Sequence, residues 1–162
     1  MKQRLSFLLL FFSIVVISAF FIFSGFSSDE KGSSLNLNGN GSKTVFLEIE
    51  GVKIKAEIAQ SPEERKQGLS ERENIEQNSG MFFVFENEGH HGIWMKDMNF
   101  PIDIIWIDES LNIVHIAESV SPETFPEVFS PPIPARYVLE VNAGLALENK
   151  FGVGSKVFFP KD

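Results

Sequence analysis

Along residues 44–162, apolar and polar positions alternate with a period of two, the spacing of strands that bury one face. In Thr44–Glu50, Val45, Leu47 and Ile49 share one face; in Val52–Ala59, Val52, Ile54, Ala56 and Ile58 do, while Lys53, Lys55 and Glu57 face away. Glu50-Gly51 between them suits a tight hairpin turn. Ser61-Pro62-Glu63-Glu64 then combines an N-cap serine, a proline at the first helical position and the glutamate of a capping box, which predicts a short helix ending near Gly68.

After a polar stretch over Ser70–Ser79, the segments Gly80–Phe85, Gly92–Met95, Ile102–Ile107 and Ile113–Ala117 read as further strands, with Asp108–Asn112 as the turn joining the last two. Five of the eight prolines fall between Pro122 and Pro134, and this density predicts a long irregular surface loop. Alternation resumes over Arg136–Asn142, a second short helix is predicted over Ala143–Phe151, and a last strand lies around Lys156–Phe159. The pattern therefore predicts a mainly β domain, a single compact antiparallel β-barrel or sandwich with two short helices.

The N-terminus follows a different rule. Leu5–Phe26 is a charge-free run of 22 residues behind Lys2 and Arg4. At about 1.5 Å per residue it matches the roughly 30 Å hydrocarbon thickness. Residues 1–26 are expected to form a transmembrane anchor, a cleaved signal peptide being the alternative, with Gly25-Phe26-Ser27 as its weak cleavage site. The two basic residues keep the N-terminus in the cytoplasm and send the rest outward. Residues 27–43 are rich in Ser, Gly and Asn and read as a flexible linker, leaving 44–162 as the globular domain.

Composition narrows the function. The chain has no cysteine, which excludes disulfides, thiol nucleophiles, cysteine-ligated metals and a lipoprotein anchor. Setting aside Lys2 and Arg4 leaves 12 of the 14 basic residues against 22 acidic ones, a net charge of −10 on the outward part. Such a charge repels phosphate backbones, so no nucleic-acid partner is expected. The sequence carries no phosphate-binding glycine loop, no Gly-x-Ser-x-Gly elbow and no His-Glu-x-x-His motif, and no cofactor is implied.

Several separated blocks resemble the domain of unknown function 192 family: Ser61–Arg65 with Gly68-Leu69, Gly80–Phe85, Trp94–Asp97, Pro101–Asp108 and Pro134–Gly144. The resemblance covers residues 45–159. Ser70 stands where the family's helix motif carries methionine, Arg72 keeps the motif's arginine, and Lys96-Asp97-Met98 replaces Lys-Asn-Thr. The resemblance implies a compact, largely β domain, commonly exported, and no established activity.

Candidate chemistry concentrates between Trp94 and Asp103. Trp94 offers a stacking face, Lys96 a cation, and Asp97 and Asp103 acceptors, a set that suits a ligand site at a barrel mouth. The competing readings are core packing for Trp94 and a solvated turn pair for Lys96 and Asp97. Asp103 precedes an apolar run and needs a partner if buried, for which Arg65 or Arg136 would serve as a bidentate cation. Arg136 and Glu140, four apart on a strand, share a face and fit either a surface pair or a pocket wall. A metal site through Glu86, Glu88, His90, His91 and His115 matches no established spacing, and no metal is expected.

These readings rank a membrane-anchored extracytoplasmic domain that binds a small molecule, glycan or peptide of the cell envelope first, with Arg65, Trp94, Lys96, Asp97, Asp103 and Arg136 as candidate ligand-binding residues. A hydrolase using Asp97 and Asp103 is the alternative, although no nucleophile accompanies them. A protein-interaction module using the Pro-rich loop 121–135, with Phe125, Phe129 and Ile133, is the third. The domain is expected to be a monomer.

Overall fold

A computed structural model describes residues 44–160; the anchor and linker expected over 1–43 lie outside the described residues. Strands β1 (Thr44–Ile49) and β2 (Val52–Ala59) form the expected hairpin, and both residues of its loop, Glu50 and Gly51, have positive φ as a tight turn of this hand requires. Helix α1 (Pro62–Gln67) starts on a complete capping box. The Ser61 hydroxyl accepts from the Glu64 amide at 3.1 Å and the Glu64 carboxylate accepts from the Ser61 amide at 3.1 Å. Its end at Gly68 falls where the sequence places it, with φ 51°.

Residues 60–78 cross over and return the chain as β3 (Ser79–Gly89), which pairs parallel to β2. This corrects the expectation of an all-antiparallel sheet. The helix and the polar stretch after it are long enough for the crossover that parallel strands need, and a period-two pattern is blind to strand direction. After the two-residue β4 (Ile93–Trp94) come β5 (Ile102–Ile107), β6 (Ile113–Val120), the short β7 (Val128–Phe129), β8 (Ala135–Asn142), helix α2 (Leu145–Glu148) and β9 (Val157–Phe158). The main sheet has the order β6-β5-β8-β3-β2-β1-β9.

The sheet curls into a half-barrel rather than a closed barrel or a sandwich. Its outer strands meet at one point: Asn112 bridges Lys156, the Ile113 amide donates to Ser155 at 2.9 Å and the Gly154 amide donates to Ile113 at 2.8 Å. One face buries Leu47, Ile54, Phe82, Ile105, Leu139 and Val141. The other buries Leu69, Phe83, Ile93, Ile104, Trp106 and Val138. All six residues of β5 are buried, so this strand is covered on both sides. The Pro-rich segment is less irregular than its prolines suggest, because Val128 and Phe129 pair with β4 in a small second sheet over that covered face.

Asp103 holds the start of β5. Its Oδ1 accepts from the amides of Ser119 at 2.8 Å and Gly144 at 3.1 Å, and its Oδ2 accepts from Ala146 at 2.9 Å. Gly144 is the N-cap of α2 and has no side chain to cap with, so Asp103 supplies the missing acceptor from the neighbouring strand. The partners of this carboxylate are backbone amides, not the arginine expected from sequence. Asp103→Ala would leave three amides without that acceptor, and an expected loss of about 3 kcal/mol follows from hydrogen bonds to a charged group. Urea unfolding measures it; an unchanged midpoint would contradict the assignment.

Candidate functional site

The polar stretch after α1 is fastened to the turn after β4. The Ser70 hydroxyl donates to the Lys96 carbonyl at 2.8 Å, the Glu71 amide to the Asp97 carbonyl at 2.7 Å, and the Asn99 amide group to the Arg72 carbonyl at 2.9 Å. These bonds fix the end of α1 beside β4 and leave between them a cavity of about 60 Å3. Leu69, Phe83, Ile93, Trp94 and Met98 supply its apolar surface, Arg65, Lys66, Gln67 and Ser70 much of its polar surface, and Glu140 of β8 joins the lining.

Glu140 is only 5% exposed. Its neighbours across the strands are Met81 of β3 and Ile104 of β5, both apolar and buried. Among the described residues no hydrogen bond or ion pair meets its carboxyl, and burial alone pushes its pKa up to about 8. A carboxyl in this state is protonated at neutral pH, and it can donate a hydrogen bond, accept one, or ionise against a cation that enters the cavity.

The six candidates taken from the sequence divide. Trp94 and Arg65 line this cavity. Trp94 is 46% exposed, contrary to the core reading, and meets Phe125 edge-on with ring centres 5.9 Å apart. The Arg65 guanidinium donates to the carbonyls of Gln60 and, at 3.0 Å, Val84, and sits 5.0 Å from the Phe85 ring centre. Lys96 and Asp97 pair with each other in solvent, as a turn pair does. Asp103 is sealed under its three amides, so Asp97 and Asp103 form no dyad. Arg136 lies 3.6 Å from Glu109, and its Nε is buried without a described partner.

The histidines do not converge. His90 bonds the Pro131 carbonyl at 2.8 Å, His91 bonds the Asn87 carbonyl at 3.0 Å and stacks on Phe85, and His115 rests against Trp106. Among the described residues no group of three or more His, Asp or Glu is placed to hold a metal. A larger cleft of about 470 Å3 opens beside β2, but its central charges are already joined. Arg72 binds Glu57 through two bonds of 2.6 and 2.9 Å, which holds the Glu57 carboxyl below its ordinary pKa.

Sequence reasoning notes Glu140 only as the companion of Arg136. The signal for its burial lies in strands β3 and β5, which are distant along the chain and supply its apolar neighbours.

The family model DUF192, described as an uncharacterized ACR, matches residues 45–159. The chain belongs to the DUF192 family. None of the curated proteins matches it. A crystal structure from Sinorhizobium meliloti 1021, of a protein provisionally described as a transcription regulator, is 27% identical with a TM-score of 0.69, covering 75% of this chain and 98% of that one. A protein of unknown function from Novosphingobium aromaticivorans DSM 12444 is 26% identical with a TM-score of 0.66, covering 72% of this chain and 85% of that one. Among the described residues of this DUF192 chain, no helix is long and apolar enough to cross a membrane.

The Glu140 carboxyl gives this DUF192 domain a specific pH dependence. Its pKa rises on folding from the ordinary 4.5 to about 8, so its contribution favours the folded state most below about 4.5 and is lost as pH rises through 8. Glu140→Gln keeps the shape of the protonated side chain and removes the titration. The variant is expected to gain on the native protein by about 1.4 kcal/mol per pH unit across that window. Denaturant midpoints at several pH values measure it; parallel curves for the two proteins would contradict the burial.

Proposed function

We propose that this chain is a binding module, held outside the cytoplasm by an N-terminal transmembrane helix, that takes part of a small molecule, glycan or peptide of the cell envelope into the cavity over Glu140. The observation that carries this reading is the buried carboxyl without a described partner in the lining of a small cavity of mixed polar and apolar character. An uncompensated polar group in a folded core is costly, and a ligand that satisfies it recovers that cost on binding. Apolar side chains with a few polar groups among them are the general form of a small-ligand site. Trp94, exposed at the cavity, adds a face on which a ligand can stack.

The tether is supported by the apolar run Leu5–Phe26 behind Lys2 and Arg4, and by the polar linker that follows it. Gene regulation through DNA is not carried over from the Sinorhizobium relative, because a net charge of −10 beyond the anchor opposes binding to phosphates. A protein-interaction role has one specific observation in its favour: Phe125, Val128 and Ile133 of the Pro-rich segment are exposed apolar residues close in sequence. Exposure of single residues is common on protein surfaces, so it ranks second.

A thermal-shift screen against sugars, amines, short peptides and envelope fragments tests the binding reading. A ligand at about 100 times its Kd adds roughly 2.7 kcal/mol, enough for a shift of several degrees. The shift is expected to shrink in Trp94→Ala and to be largely lost in Glu140→Gln. A panel without any hit, or hits indifferent to both substitutions, would remove the cavity from the account. Added protease should also digest the β domain from intact spheroplasts, and protection there would contradict the outward placement.

A further inference from the structure

We propose that the group this cavity selects is a primary ammonium on a short alkyl stem, its nitrogen against the Glu140 carboxyl and its methylenes between Phe83, Ile93 and Trp94. The inference rests on the preceding reading of the cavity as a binding site and names the chemistry of its ligand.

Four observations lead to it. The acceptor is present and uncompensated, since no described cation reaches Glu140. The two cations that line the cavity, Arg65 and Lys66, do not bond the Glu140 carboxyl. Arg65 donates to the Gln60 and Val84 carbonyls and leans on Phe85, and the Lys66 side chain is exposed. The space is small: about 60 Å3 holds a few waters at roughly 10–15 Å3 of probe-occupied volume each, which suits the slender end of an alkylammonium chain. Beside its polar residues the wall carries Leu69, Phe83, Ile93 and Trp94, whose aliphatic and aromatic surfaces suit an alkyl stem, and an indole face attracts a cation.

Long-range charge acts in the same direction. An excess of ten negative charges beyond the anchor concentrates cations near the domain and repels anions. A lysine-type side chain of a peptide and a free alkylamine present the same group and differ only in what lies outside the cavity. Exposed Trp94 and its neighbour Phe125 are placed to meet the flanking part of the larger ligand.

Docking also moves a proton. In the empty cavity the carboxyl is protonated below about pH 8; when an ammonium enters, the carboxyl ionises and its proton leaves for solvent. The nitrogen stays protonated, so charge balances within the pair. The charged groups lining the cavity with Glu140 are Arg65 and Lys66 at α1, whereas the lining residues from β3, β4 and β5, namely Phe83, Ile93, Trp94 and Ile102, carry no titratable group. Affinity for an ammonium should therefore rise up to tenfold per pH unit toward about pH 8 and then level. A neutral ligand bonded to the protonated carboxyl would lose affinity over the same range.

The test uses the full chain in detergent micelles and follows by NMR the backbone amide resonances of Gly68 and Gly92, which line the cavity and are present in every variant. The probes are n-butylamine, N-acetyl-lysine N-methylamide, and the neutral n-pentanol and N-acetyl-norleucine N-methylamide. Both amines are expected to bind, at least about tenfold more tightly than their neutral counterparts, with affinity increasing from about pH 6 to about pH 8. Glu140→Gln should weaken amine binding by at least about tenfold. Trp94→Ala, a change at an exposed position, should weaken it several-fold. Tighter binding of the lysine derivative than of butylamine would assign the peptide source, and equal binding the free amine. Neutral probes that bind as tightly as the amines, or amine binding unchanged in Glu140→Gln, would overturn the ammonium while leaving the cavity a site. Absence of binding by every probe and by every compound of the wider screen would overturn both.

Discussion

The structure depends on one constraint: its central strands β5 and β8 are covered on both faces. A strand with a solvent side can turn its polar residues toward water, but here the curled sheet fills one side and the β4–β7 pair with the end of α1 covers the other. Every side chain of β5 is buried in consequence, and a carboxylate on either strand has to be satisfied inside the protein or remain protonated. The sheet order puts β8 between β5 and β3, so Glu140 meets apolar residues from both neighbours.

The chain contains both solutions, one residue apart in register. Asp103 pairs with Val141 across the β5–β8 ladder, and Glu140 pairs with Ile104, so the two carboxyls leave the sheet on opposite faces. Asp103 finds three amides, and it joins the start of β5 to Ser119 near the end of β6 and to the start of α2. Its role is to hold strands together. Glu140 finds only Met81, Ile104 and a cavity, and burial keeps it protonated at neutral pH. Two acidic residues that look alike in the sequence thus have opposite meanings, decided by the donors that the fold brings within reach.

Local signals were readable from residues alone. The Glu50-Gly51 turn, the capping box at Ser61 and the alternation of β1, β2 and β8 depend on neighbours within a few positions, and the structure places these elements at the bounds their chemistry sets. The direction of β3 could not be read, because alternation is the same for parallel and antiparallel strands. Asp103 was legible as a buried carboxylate in need of a partner. Its donors were not, since backbone amides leave no trace in composition. Trp94 shows the reverse: an indole in an apolar stretch reads as core, but β4 is two residues long and turns that side chain outward beside Phe125. Glu140 was legible only as a companion of Arg136 in a surface pair or a pocket wall, because its burial depends on the sheet order that sets β3 and β5 beside it.

As a DUF192 member the chain has relatives whose solved structures share its fold. The Glu140 carboxyl is buried, uncompensated and protonated at neutral pH, a state that can be tested before any ligand is known. Carbon-13 NMR titration of the glutamate side-chain carboxyls, with Glu140 assigned through its Gln variant, measures this directly. A midpoint close to 8 for Glu140 is the expected result. A midpoint near the ordinary 4.5 would mean that the carboxyl is hydrated or paired in solution, and would contradict the account of the site.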